Sequence, residues 1–102
     1  MSGPIKVDVL VVGSGAAGLS AAVTAAIGGA SVLVAEKASV LGGTSAWSGG
    51  WLWIPGNPLA REEGIEEDAS APLTYLQHEM GGESADDRLR TFLRYGPEMV
   101  DF

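Results

Sequence analysis

VVGSGAAGLSAA, residues 11 to 22, sets Gly13, Gly15 and Gly18 between an apolar run and an alanine-rich one. The run before it, KVDVLVV from Lys6 to Val12, is β-branched and nearly all apolar. That suits a strand buried on both faces, as in a parallel sheet. Gly13 to Gly15 reads as a turn. Ala16 to Ile27 is rich in Ala and Leu and lacks proline, which predicts a helix. Gly28 and Gly29 close it, since glycine readily takes the left-handed conformation beyond a helix. SVLVA, Ser31 to Ala35, is a second short strand with Glu36 at its end. Strand, tight turn, helix, strand is a βαβ unit, and such a crossover makes its two strands parallel neighbours.

A strand that feeds a helix through Gly-x-Gly-x-x-Gly makes a seat for a diphosphate. Gly13 permits the tight turn, Gly15 lets a phosphate oxygen approach the backbone, and Gly18 lets the helix pack close to the strand. The helix N-terminus adds unpaired N–H groups and the positive end of its dipole, roughly half a unit charge. Glu36 lies eighteen positions beyond Gly18. A carboxylate there accepts hydrogen bonds from the hydroxyls of an adenosine ribose and repels a 2′-phosphate. Alone the glycine motif is weak. Its force comes from the strand before it, the helix after it and the acidic residue ending the next strand.

A second glycine-rich stretch, LGGTSAWSGG at 41–50, brings paired glycines, Thr44, Ser45 and Ser48 soon after Glu36. Close backbone approach with hydroxyl donors suits the far phosphate, ribityl chain and flavin of FAD. In a simple NAD domain this position would carry the next crossover helix.

The bulk numbers narrow the classes. The 102 residues carry a formal charge of −7, so the basic footprint of a nucleic-acid binder is missing. There is no cysteine, which excludes a disulfide framework, a thiolate metal site and a Cys nucleophile, and suits a reducing cytoplasm. Val9 to Ala35 is uncharged, yet five glycines punctuate it. A membrane span needs about 20 predominantly apolar residues, so no span is expected.

Further along, WLWIP alternates Trp51 and Trp53, and a short strand is expected, closed by Pro55 and Pro58. REEGIEED, residues 61 to 68, reads as a solvated loop. A helix follows, capped by Asp68 or Ser70, with Pro72 in its first turn, running to about Met80 and stopped by Gly81-Gly82. Ser84 opens another, with Asp87 three residues on and Leu89, Phe92 and Leu93 on one face. Gly96 is expected to end it and Pro97 to begin one more. Tyr75 and Tyr95 are read as packing residues and His78 as exposed. Trp51 and Trp53 are read first as aromatic packing, with a wall of the flavin or substrate cavity as the other use.

DVLVVGSGAAGLSAA, the Glu36-Lys37 pair and GGTSAWSGG resemble the N-terminal FAD-binding region of the fumarate reductase/succinate dehydrogenase flavoprotein superfamily. WLWIPGNP, TYL at 74–76 and YGPEMVDF at 95–102 resemble its 3-ketosteroid dehydrogenase branch. The resemblance implies an α/β fold: the N-terminal βαβ of a Rossmann-type FAD-binding domain plus loop and helices, incomplete on its own. It implies that residues 1–102 continue in a larger parent polypeptide. The cofactor would be FAD, contacted by Gly13, Ser14, Gly15, Ala17, Gly18, Glu36, Lys37, Gly43, Thr44, Ser45, Ser48, Gly49 and Gly50. The activity would be hydride transfer from a substrate carbon to flavin N5, on a small, steroid-like molecule. A fumarate-reductase-like enzyme acting on an unsaturated carboxylic acid and a non-catalytic nucleotide-binding fragment are the alternatives. The uncharged WLWIP favours an apolar substrate, since a dicarboxylate would want arginines and only Arg61 is near. No catalytic residue is assigned.

Overall fold

β-branched side chains favour extended backbone, and in the computed structural model Val9–Val12 form strand β1. The structure describes residues 3–81 and 86–102. β1 runs parallel to β2, Val32–Ala35, in a register from Val9 opposite Val32 to Val12 opposite Ala35. A reciprocal clasp fixes where that register begins. Ser31 donates to Asp8 Oδ2 from its N–H at 2.8 Å and from its hydroxyl at 2.7 Å, and the Asp8 N–H reaches Ser31 Oγ at 3.0 Å. The Ser31 hydroxyl, then its N–H, hold the Asp8 carboxyl below its ordinary range. At the other end the Gly13 N–H donates to the Ala35 carbonyl at 2.8 Å.

Helix α1, Ala16–Ile27, joins the strands and packs on both. It stops where expected, with Gly28 at its C-cap and Gly29 at φ +91°. Successive strand side chains face opposite ways, and α1 covers the face of Val11. Val11 and Ala22 are each 8% exposed, whereas Leu10 and Val12 are 59% and 81% exposed. Burial on both faces, expected from the composition, is therefore met on one face only. After β2 the chain makes a single 3-10 turn over Gly43–Trp47.

The contacts divide the chain into two units, one up to Trp51 and one from Leu52. In the second unit three helices pack together: α2, Pro58–Glu62, α3, Ala71–Glu79, and α4, Asp86–Asp101. The expected strand at WLWIP is not there. Trp53 packs edge-on against Tyr75 of α3, with ring centroids 5.6 Å apart, and stacks on Phe92 of α4 at 6.3 Å. Its neighbour Ile54 packs against Gly96 of α4. Two consecutive side chains on helices contradict the alternation of a strand, and a strand also needs a paired neighbour.

The acidic run is only partly loop. Arg61 and Glu62 complete α2, because Asn57 caps that helix by accepting the Ala60 N–H at 3.0 Å. From 61 to 70 every residue is exposed. α3 begins with Pro72 in its first turn as expected, but neither candidate caps it by side chain. Asp68 Oδ1 instead accepts from Ser70, from the N–H at 2.9 Å and the hydroxyl at 2.8 Å.

Gly82 and Ser84, expected to end one helix and open the next, lie outside the described residues. The break expected at Gly96-Pro97 does not occur, since α4 runs through both. Gly96 is buried, and a Cβ there would come within 3.0 Å of Ile54 Cγ2. The glycine serves close packing rather than termination.

Candidate functional site

The mouth of α1 is built from the first glycine turn. Gly13 takes φ +98°, a conformation that side chains rarely adopt, and turns the chain off β1. A Cβ on Gly18 would lie 2.1 Å from the Gly13 carbonyl oxygen, so only glycine lets the helix start this close to the turn. Gly15 stands at the N-cap in extended conformation. A Cβ there would meet nothing nearer than Ser45 Oγ at 3.7 Å. The ground in front of Gly15 is therefore clear of protein.

Three further residues close the turn against the rest of the first unit. Ser14 is 1% exposed, the largest fully buried side chain among the described residues. Its hydroxyl donates to Glu36 Oε2 at 2.6 Å and accepts the Gly42 N–H at 3.0 Å. Its own N–H also donates to Glu36 Oε2, at 2.9 Å. Glu36 thus reaches from the end of β2 to the turn before α1. Its other oxygen accepts the Ala38 N–H at 2.9 Å. The Ala38 N–H, then the Ser14 hydroxyl and the Ser14 N–H, lower the Glu36 pKa to about 2, against a smaller opposing effect of burial. The carboxylate is charged at neutral pH.

The second glycine stretch folds onto the same mouth. Ser45 Oγ accepts the Ala16 N–H at 3.0 Å and so caps α1 from 29 residues away. Gly43 sits against Gly15, where a Cβ would touch Gly15 Cα at 3.5 Å. Gly42 takes φ +113°, and a Cβ there would fall 2.6 Å from that of Ala46. Gly42 was legible in the sequence only as one of a glycine pair. Its signal was that pair.

The expected contacts thus separate into groups. Gly13, Ser14, Gly15, Gly18, Glu36, Gly43 and Ser45 meet at the mouth, and Ala17 lies in the helix's first turn. Thr44 lines an adjoining recess of about 440 Å³ with Val40, Leu41 and Trp47. Ser48 donates to the Ser45 carbonyl at 2.8 Å and accepts the Gly50 N–H at 3.2 Å, so Ser48, Gly49 and Gly50 follow the mouth as an exposed strip. Lys37 is exposed, and its ammonium makes no ion pair among the described residues. Trp51 is 93% exposed.

A diphosphate fits this mouth. The N–H groups of the first turn have no partner inside the helix, and α1 has no acidic residue there to repel an anion. The space that a side chain on Gly15 would fill is free. A concavity of about 480 Å³ in the second unit, lined by Arg61, Glu66 and Glu67, is a poorer seat. Its two carboxylates oppose an anion, and the Arg61 guanidinium is engaged with the Gly56 carbonyl at 2.7 Å. Among the described residues no helix is long and apolar enough to cross a membrane.

Comparison with known proteins agrees with this geometry. A family model described as an FAD binding domain matches residues 8–102. The chain is 50% identical over 95 residues to a 4-oxocyclohexanecarboxylate 2-dehydrogenase of Sinomonas cyclohexanicum, covering 93% of this chain and 17% of that protein. It is 45% identical over 95 residues to a 3-oxosteroid 1-dehydrogenase of Mycobacterium tuberculosis, with the same coverages of 93% and 17%. The crystal structure of a 3-ketosteroid delta1-dehydrogenase from Sterolibacterium denitrificans superposes with a TM-score of 0.77 at 46% identity, over 93% of this chain and 16% of that one. The chain therefore spans about a sixth of the length of these relatives.

Proposed function

The chain belongs to the FAD binding domain family, and on that premise we propose that it is the FAD-binding segment of a larger flavin-dependent dehydrogenase with a Rossmann-type cofactor domain. The reaction is removal of hydrogen from a CH–CH bond beside a ring ketone. The observation that carries this reading is the closure at the mouth of α1. Glu36 reaches across from β2 to Ser14, beside a helix start where the space in front of Gly15 is free and only the Ser45 hydroxyl approaches.

Each group at the mouth has a role in this reading. The first-turn N–H groups, including those of Ala17 and Gly18, hold a diphosphate, and Gly15 lets it approach. Glu36 takes an adenosine ribose hydroxyl. Ser45 and Thr44 offer hydroxyls along the path from Gly43. Ser48, Gly49 and Gly50 continue it toward the flavin, and Lys37 adds a positive charge near the ribose. When bound, FAD supplies the hydride acceptor. The bare apolar face of β1, at Leu10 and Val12, is covered by the rest of the parent polypeptide. The parent protein is placed in the cytoplasm in this reading, a setting with which the absence of cysteine in this segment is compatible.

The relatives that act on 3-oxosteroids support a steroid-like substrate. A smaller substrate has support of its own. The chain is 50% and 46% identical to two Sinomonas cyclohexanicum dehydrogenases named for a 4-oxocyclohexanecarboxylate and a 4-oxocyclohex-2-ene-1-carboxylate. Both substrate types share a six-membered ring ketone. The test is the visible spectrum of the full-length parent. Flavin absorption that bleaches anaerobically with a 3-oxosteroid or with 4-oxocyclohexanecarboxylate is expected, and the more effective of the two identifies the substrate. A colourless protein that binds no flavin overturns the reading, and oxidation of the reduced protein by fumarate alone overturns the ring-ketone assignment.

A further inference from the structure

We infer that Ser14 is a positioning residue for the adenosine ribose: its buried hydroxyl ties the Glu36 carboxylate and the Gly42 turn together, and leaves one aimed acceptor for a ribose hydroxyl. The inference rests on the FAD reading above.

A serine hydroxyl has one proton and two lone pairs. Ser14 spends the proton on Glu36 Oε2 at 2.6 Å, and a lone pair accepts the Gly42 N–H at 3.0 Å. An ionised carboxylate has about four acceptor positions. Oε2 receives the Ser14 hydroxyl and the Ser14 N–H, and Oε1 receives the Ala38 N–H. The Lys37 N–H also leans on the carboxylate, and Oε1, with a single close hydrogen bond from within the chain, is the oxygen on which a ligand hydroxyl would be received. Bonds to both oxygens fix the plane of the carboxylate as well as its place. A glutamate side chain free in solvent loses rotamer entropy when it grips a ligand, whereas this one has lost it beforehand. Ser14 does this without touching the ribose.

The same hydroxyl sets the second glycine turn. Gly42 N–H points at Ser14 Oγ, and three residues later Ser45 caps α1. Loss of the hydroxyl removes one of the two side-chain hydrogen bonds that close the 42–45 segment on residues 14–16. Position 14 thereby governs both how Glu36 is aimed and what faces it.

The test uses the full-length parent freed of its flavin, titrated calorimetrically with ADP and with 2′,3′-dideoxy-ADP. The readout is the ratio of the two affinities, which a merely structural role does not move. Wild type is expected to prefer ADP by about tenfold, the worth of one hydrogen bond to a charged group. S14A should bring the ratio to within about twofold of one. S14C fills the same space with a weak donor, so it keeps the packing and should lower the ratio too. In an E36Q background S14A should change the ratio no further. Equal weakening of both nucleotides by S14A, an unchanged ratio in S14C, or a wild-type ratio near one overturns the inference while leaving the FAD reading in place. A wild-type protein that binds neither ADP nor FAD overturns both.

Discussion

Gly15→Ala and Gly18→Ala add one methyl each to the same turn, yet one should impair cofactor binding and the other stability. At Gly18 the new carbon would sit 2.1 Å from the Gly13 carbonyl oxygen, 3.0 Å from the Gly13 carbonyl carbon and 3.4 Å from Val11 Cγ1. Non-bonded atoms attract best at about 3.5–4.0 Å, so backbone has to move by more than about 1 Å. Overpacking of this kind costs about 1–3 kcal/mol. Alanine's better helix propensity returns about 1 kcal/mol. Because the neighbour is backbone and cannot rotate away, a net loss of about 1–2 kcal/mol is expected. At Gly15 the methyl would find only Ser45 Oγ, at 3.7 Å, on a backbone with φ −73° and ψ −176° that any residue adopts. A less flexible unfolded chain favours alanine there by about 0.4–1 kcal/mol, but glycine is the better N-cap by a similar amount, so the midpoint should stay close to that of wild type. The methyl nonetheless stands where a phosphate would lie, and FAD affinity should fall on the order of 100-fold, or about 2.7 kcal/mol. The urea midpoint of the full-length apoprotein reads the first effect, and quenching of flavin fluorescence on binding reads the second. A Gly15→Ala protein that binds FAD like wild type refutes the phosphate seat. A Gly18→Ala protein with an unchanged midpoint refutes the packing argument.

The acid dependence of stability has a stated sign. Glu36 is held at about 2 in the fold against an ordinary 4.5, so its contribution is present above that ordinary value and is lost as pH falls toward about 2. Urea midpoints of wild type and Glu36→Gln should therefore converge across that window. Asn57→Ala removes the acceptor of the Ala60 N–H and the amide donor to the Ile54 carbonyl, and should cost about 1 kcal/mol by the same assay. Pro97→Ala should raise stability by roughly 1–3 kcal/mol, because it restores an N–H that can donate to the Leu93 carbonyl inside α4. A lowered midpoint for Pro97→Ala would show that α4 needs its proline.

How far the sequence could be read depends on how local the governing physics is. The α1 boundaries follow from composition and from two glycines beyond the end, all within one helical turn of the residues concerned. The parallel pairing of β1 and β2 follows from the crossover. Gly96-Pro97 was misleading because the two residues are the usual punctuation of a helix end. A long-range contact with Ile54 decided the matter, and nothing in residues 86 to 102 announces it. WLWIP failed for the same reason. Alternating tryptophans look like a strand, but a strand requires a partner, and the Trp53 ring found α3 and α4 instead.

The site divides along the same line. Gly13, Gly15, Gly18 and Glu36 were legible because each answers to a spacing rule. Ser14 was legible only by resemblance and Ser45 only as one hydroxyl of a glycine-rich stretch, and spacing could not tell their uses apart. Burial does. Ser14 is shut away from solvent with both its donor and an acceptor position committed, so its bonds persist whatever occupies the mouth. Ser45 is exposed, and its oxygen holds one of the N–H groups, that of Ala16, on which an anion at the helix start would draw. An exposed hydroxyl can rotate away and offer its proton in return at little cost, since water competes for every bond it makes. One serine therefore belongs to the frame of the mouth and the other to its exchangeable lining, a distinction that follows from their surroundings in three dimensions and from nothing in the letters GSG or GTS.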